Sequence, residues 1–262
     1  MAGIKTFMKP SLAISWAKDE LCYHGYTVKT EKWQGISAPD DMWETLNISF
    51  QFFMPDTVEE LAKEVEPNLP WADEHFDERV GGIPYNPPPS HVNWPFAQKN
   101  NKQFGGETKF SHTYPERIWP KYAGNDKSNK INHGIRFDYG DFNDIINLLN
   151  KEPYTRQAFL PMWFPEDTGV VHNERVPCSL GWHFIRRDNN FHVIYYIRSC
   201  DYRRHFRDDI YMAARKLLYV LDKLKKQSPE NWGNVKPGYF TMHITSLHCF
   251  NKEKEFLKQS KK

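Results

Sequence analysis

The chain has 262 residues, a formal net charge of +2, 26% charged and 39% hydrophobic residues, and an aromatic fraction of 15% that includes nine Trp. So many large rings can supply a core, which excludes disorder over the whole chain, and the near-neutral charge removes the electrostatic case for nucleic-acid binding. Cys22, Cys178, Cys200 and Cys249 are widely spaced with no CxxC pair, which speaks against a disulfide framework or a zinc site and for a reduced, cytosolic setting.

The length suits one large domain or two small ones. The N-terminal MAGIKTFMKPSLAISWAKDE has no long apolar run, so neither a signal peptide nor a membrane span is expected there. SLAISWAKDELCYHGYTVKT reads as a helix followed by a strand, and the alternating WETLNISFQFF as a strand. DTVEELAKEVE is a short helix opened by the capping-type Asp56. LPWADEHFDERVGG has helical spacing after Pro70 and a stop at Gly81-Gly82. Residues 83–134 are rich in Pro, Gly, Asn and aromatics and sustain no period. A stretch of that length is either a functional excursion or a surface loop.

Regular patterning resumes at 135. DFNDIINLLNKEP is a helix ended by Pro153, and TRQAFLPMWFP a strand. CSLGWHFIRRDNNFHVIYYIRSCD gives two strands joined by a turn at RDNN. An amphipathic helix is predicted from Asp208 to Leu224, with Ile210, Leu217, Leu221 and Leu224 as its core stripe. GYFTMHITSLHCF is a strand, and the charged tail 251–262 is expected to fray. There are no internal repeats. The sum is an α+β fold with a large mixed sheet packed with helices, spanning 1–262 as one domain.

Three pieces carry candidate chemistry. Cys178 in VPCS is a nucleophile or a buried structural thiol. Arg198 and Ser199 in RSCD combine a guanidinium fork with a hydroxyl, suited to an anionic oxygen, unless Arg198 is solvated or paired with Asp201. His248 in SLHCF is a site residue or a satisfied core histidine. Asp208 and Asp209 in FRDDI have the ordinary reading of helix-start residues that cap N–H groups and complement the dipole.

Taken together, TRQ, VPCS, IRSCD, FRDDI and SLHCF resemble the thymidylate synthase superfamily in order and spacing, over about residues 135–250 and more loosely 71–134. Within it, FRDDIYMAARKLLYVLDKL looks most like the phage deoxycytidylate hydroxymethylases. The resemblance implies a sheet-mediated homodimer in a bacterial host cytoplasm, using 5,10-methylenetetrahydrofolate and no metal, and converting dCMP to its 5-hydroxymethyl form for phage DNA. Cys178 would add to pyrimidine C6, which makes C5 nucleophilic. A glutamate would remove the C5 proton; Glu78 is chosen because its distance to Tyr114, near the reacting base, resembles the family spacing, with Glu74 as runner-up. Arg198 and Ser199 would hold the 5′-phosphate, and Arg156 would reach the phosphate in the neighbouring subunit. His248 would contact the deoxyribose hydroxyl, and Asp201 would help place the folate.

Asp209 falls where thymidylate synthases have Asn. An ionised Asp only accepts, matching the amine at cytosine C4 rather than the carbonyl of uracil; Asp208 is left as the cap. Departures from the family pattern are Gln157 in place of a second Arg, the absence of any Arg before Arg79, Phe250 in place of a sugar-binding Tyr, and a charged rather than apolar C-terminus. The competing expectations are a methylase acting on dUMP or dCMP, and an inactive nucleotide-binding or RNA-binding regulator.

Overall fold

A computed structural model of the protein describes residues 4–33, 36–95, 110, 112–120, 140–170 and 176–259. In chain order the elements begin with β1 (Lys5–Phe7), α1 (Pro10–His24), β2 (Tyr26–Val28), the short pair β3 (Lys32–Trp33) and β4 (Ile36–Ser37), and β5 (Met42–Phe53). Then come α2 (Val58–Val65), α3 (Trp71–Val80), α4 (Tyr114–Ile118), α5 (Phe142–Lys151), β6 (Phe159–Pro161), β7 (Ser179–Arg187) and β8 (Asn190–Asp201). The chain continues through α6 (Phe206–Gln227), α7 (Pro229–Trp232), β9 (Lys236–Phe250) and α8 (Lys254–Gln259). No helix among the described residues is long and apolar enough to cross a membrane.

Seven strands form one mixed sheet in the order β1-β5-β9-β8-β7-β6, with β2 also paired to β5. β7 and β8 are an antiparallel hairpin whose turn has Asp188 at φ 50°, as expected for RDNN. β8 and β9 run parallel, so the chain must cross over between them, and α6 and α7 fill that crossover. α6 therefore starts directly off the end of β8. Its stripe of Ile210, Leu217, Leu221 and Leu224 is buried in one apolar cluster with Phe50, Phe52, Trp182 and Tyr195.

A kink crosses four adjacent strands. In β5 the buried positions are Ile48, Phe50 and Phe52, then switch to Thr45 and Met42 beyond Asn47, which has φ 57°. β9 switches from Phe240, Met242 and Ile244 to Leu247 and Cys249, and β8 from Tyr195 and Ile197 to Cys200. In β7 the register shifts between Ser179 and Gly181. A one-residue slip exchanges the two faces of a strand. Ser179, Ser199 and Ser246 all lie on this line, because Ser179 is opposite Ile197 and Ser199 opposite Ser246.

Several local expectations change. The α2 cap is Thr57, whose hydroxyl accepts from Glu60 N at 3.2 Å, not Asp56. TRQAFLPMWFP yields only the three residues of β6, an edge strand. Within 83–134, a 3₁₀ turn at Pro89–Asn93 and α4 are regular, while 96–109, 111 and 121–134 lie outside the described residues. The tail is held rather than frayed through 259: Leu257 is buried, and Glu253 accepts from Arg203 and Arg204.

Asp208 is also not the cap of α6. That position is His205, and the Asp208 carboxylate accepts from Asn68 N at 2.8 Å and Asn68 Nδ2 at 2.7 Å. It ties α6 to the segment before α3. Asp208→Ala should cost about 1–3 kcal/mol by stranding these donors, seen as a lower urea midpoint with activity per folded molecule retained. An unchanged midpoint would contradict the tie.

Candidate active site

The cysteine segment is anchored at the start of β7. Arg198 N donates to Cys178 O at 2.9 Å, and the Arg198 guanidinium donates to Pro177 O at 2.8 Å and Val176 O at 3.2 Å. The same guanidinium sits 5.5 Å over the Trp163 ring. Arg198 thus clamps the backbone of the Cys178 loop with Nε and Nη2, and Nη1 has no hydrogen bond among the described residues. Ser199 follows it, half-buried on the kink line.

Tyr114 reaches this loop from α4, whose first turn is fixed by a capping box of Thr113 and Glu116. Its phenol oxygen accepts from Ser179 N and Ser179 Oγ, each at 3.3 Å, and Ser179 Oγ lies 2.5 Å from Tyr195 Oη. Burial raises the Tyr114 phenol above its ordinary range, with the charges of Cys178 and Asp209 adding to it; burial and Asp209 raise Tyr195 further. Both rings therefore stay protonated at neutral pH beside the Cys178 loop and can donate protons or hydrogen bonds.

Asp209 enters the same cluster from the first turn of α6. Its Oδ2 lies 3.6 Å from Cys200 Sγ, which donates. The residue keeps some solvent contact, but protein surrounds its carboxyl, and burial pushes it up to about 7 against the opposing charge of Arg79. The structure thus brings Cys178, Tyr114 and Asp209 together around Ser179, Tyr195 and Cys200.

Asp201 and His248 face each other across β8 and β9 in a second, more polar group. The Asp201 carboxylate accepts from Arg203 N at 3.0 Å, Arg204 N at 3.1 Å and Arg204 Nη1 at 3.0 Å. His248 Nδ1 is 3.1 Å from Ser246 Oγ, which donates to Glu44. Burial lowers the His248 imidazole, so it is neutral near pH 7.

The remaining predicted residues stand apart by direct contact. Glu78 accepts from Ser90 N at 2.5 Å and Ser90 Oγ at 2.6 Å, and meets His75 Nδ1 at 3.0 Å. Burial pushes the Glu78 carboxyl up, but the His75 and Ser90 hydrogen bonds outweigh it and leave it below its ordinary value. His75, under Trp71, is lowered to about 4 by burial and by Arg79. Glu74 is exposed and accepts from Asn93 Nδ2 at 3.3 Å. Arg156 is exposed just before the edge strand β6, and its carbonyl accepts from His183.

The sequence reading missed Ser179, Tyr195, Cys200 and Arg79. Only Arg79 carried a visible signal, a charge at a position of the helix that the apolar spacing assigns to the core. An aromatic wall of Trp94 stacked on His205 at 4.8 Å, with Trp71 at 6.3 Å from Trp94, flanks the start of α6.

Fold and site together define an α+β protein with a cysteine, a half-buried and a buried tyrosine and a carboxyl gathered where a kinked sheet meets its crossover helix. No protein-family profile matches the chain. A Methanosarcina barkeri protein named "putative thymidylate synthase" is 30% identical over 145 residues, 54% of each chain. Proteins of the same name from Methanosarcina mazei and Methanococcoides burtonii are 31% and 29% identical over 108 residues, 41% of this chain and 44% of theirs. The chain spans about half the length of the curated relatives it matches. These partial likenesses support kinship with the thymidylate synthase superfamily.

Proposed function

We propose that the protein transfers a one-carbon unit to C5 of a pyrimidine nucleotide, and that it is a dCMP 5-hydroxymethyltransferase working as a homodimer. The observation that carries this reading is the gathering of Cys178, Tyr114 and Asp209 around Ser179. Sγ of Cys178 bonds to C6, and the C5–C6 π pair moves onto C5, which becomes the nucleophile. Asp209 faces the pyrimidine edge, where its ionised form accepts from the N4 amine. Tyr114 and Tyr195 stay neutral and donate within the cluster.

Arg198 holds the 5′-phosphate with Ser199, the clamp on the Cys178 loop fixing phosphate and thiol relative to each other. Arg156, exposed beside the edge strand, serves the partner subunit's phosphate. His248 takes the deoxyribose hydroxyl. Glu78, kept ionised by His75 and Ser90, accepts the C5 proton directly or through water.

The half-buried rings of Trp94 and His205, next to Asp201, suit the ring system of 5,10-methylenetetrahydrofolate. When bound, the folate supplies carbon at the methylene level, which water converts to hydroxymethyl and hydride to methyl. A methylase acting on dUMP is the second reading. It is favoured by the relatives' names and by an Asp209 that titrates at about 7, since a protonated carboxyl gains a donor for O4.

The test is incubation with methylenetetrahydrofolate and dCMP, dUMP or CMP, with products weighed by mass spectrometry. dCMP should gain CH₂O with no dihydrofolate formed. A methylated dUMP accompanied by dihydrofolate would replace the hydroxymethylase reading with the second one.

A further inference from the structure

Two basic side chains, Lys216 and Arg79, are buried in the core. Lys216 is 0% exposed, and its Nζ has no hydrogen-bond acceptor among the described residues. It lies 4.4 Å over the Trp182 ring and 5.6 Å over Phe76, which offset part of its desolvation. Arg79 is 4% exposed, and its Nε likewise has no acceptor among the described residues. Its guanidinium carbon is 4.4 Å over the Tyr114 ring, the ring whose phenol reaches Ser179 beside Cys178.

Buried charges without a partner are costly, so their nearest counter-charge matters. The neighbouring carboxylates are mostly committed. Asp208 is held by Asn68, and Asp73 by Tyr211 and Arg215. Among the described residues Asp209 has only the Cys200 thiol as a side-chain donor. Lys216 stands seven residues after Asp209, nearly two full turns, so both side chains leave the same face of α6. Side chains on a helix lean toward its N-terminus, which carries the four-carbon stem of Lys216 back toward Asp209.

We propose that Arg79 and Lys216 are specificity-determining positioning residues: they act on Asp209 from the core side, set when its carboxyl carries a proton, and so decide whether the site offers the base an acceptor or a donor. This rests on the reading of Asp209 as the group that faces the pyrimidine. An acceptor selects a C4 amine; a protonated carboxyl also tolerates a C4 carbonyl.

The electrostatics agree with this geometry. Burial raises Asp209, and Arg79 is the largest influence in the opposite direction; Asp208 and Asp201 add to the rise, while the Cys200 hydrogen bond opposes it. Burial lowers Lys216 well below an ordinary amine, Arg79 and Arg215 add to this, and Asp209 opposes it. Arg79 supplies the fixed charge, and Lys216 the adjustable one. Tyr114, Tyr195, Cys200 and Cys178 are further titratable neighbours among the described residues, and the Asp209 charge raises the first three.

The experiment is a titration of ¹³C-labelled Asp carboxyls by NMR in the whole protein, with the Asp209 signal assigned by its loss in Asp209→Asn. Arg79→Met should raise the Asp209 midpoint by about one pH unit or more, because a cation that favours the carboxylate is gone. Lys216→Met should raise it by less, and Arg79→Lys should stay near wild type. The dCMP-to-dUMP ratio of kcat/KM at pH 7 should fall about tenfold in Arg79→Met and recover as pH is raised. Lys216→Met keeps the volume of the side chain and carries the test if Arg79→Met does not fold. Midpoints that match wild type would overturn the role of the cations and leave the Asp209 reading intact. A raised midpoint with an unmoved substrate ratio would overturn Asp209 as the base contact, and the specificity role with it.

Discussion

Cys178→Ala should abolish turnover, by about 10⁴-fold or more, and leave nucleotide binding measurable. In the proposed mechanism the Cys178 thiolate forms the bond to C6, and its described neighbours do not replace it: Tyr114 and Tyr195 are raised phenols, and Cys200 is buried and raised well above an ordinary thiol. The backbone anchor survives the substitution, because Cys178 O accepts from Arg198 N and Ala keeps that bond. The thermal midpoint should therefore stay near wild type while product formation disappears, and calorimetry with dCMP should still give a binding isotherm. Intact-protein mass after incubation with nucleotide and folate should show a covalent species in the wild type and none in the variant. Turnover surviving in Cys178→Ala would remove the covalent route altogether.

The loop around Cys178 shows how far the sequence could be read. The two strands that follow it, β7 and β8, were legible from alternation, and RDNN announced their turn. The kink was not, because slipping one residue in four strands at once is a property of the assembled sheet. The same limit applies to Asp208. Its helix-start setting invites a capping role, and the partner that claims it, Asn68, lies 140 positions away. In contrast, the Thr113 and Glu116 box that starts α4 was present in the sequence as TYPE and was hidden by the surrounding Pro and Gly. Of the candidate site, the motifs located Cys178 and Asp209, and the fold joins them to Tyr114. TRQ also pointed to Arg156, and the spacing to Tyr114 pointed to Glu78; Arg156 is exposed just before β6, and Glu78 is hydrogen-bonded to His75 and Ser90. Lys216 interrupts an otherwise apolar stripe seven residues after Asp209, a signal that periodicity alone treats as noise.

Asp209→Asn should turn the preference from cytosine toward uracil, changing the dCMP-to-dUMP ratio of kcat/KM by about 10²–10⁴-fold. The carboxylate accepts only, whereas Asn presents both an acceptor and a donor, and it removes the clash of acceptor against O4. The pH dependence distinguishes this from general damage. Burial pushes Asp209 up to about 7, so on the proposed reading the wild type should lose cytosine selectivity as pH falls below that point, while the ratio in Asp209→Asn should be flat. Stability moves the other way. A carboxyl raised in the folded state binds more protons there than in the unfolded chain, so its contribution is present below the ordinary carboxyl range and is lost as pH rises through about 7. Removing the titration should therefore stabilise the fold at pH 8 by roughly 2–4 kcal/mol and change little near pH 4, measurable as urea unfolding at the two pH values. A variant that gains stability at high pH and loses its cytosine preference would identify a carboxyl kept at a cost to the fold because it reads the base. Stability gained with the ratio unmoved would instead assign Asp209 to the electrostatics of the thiol and phenol cluster.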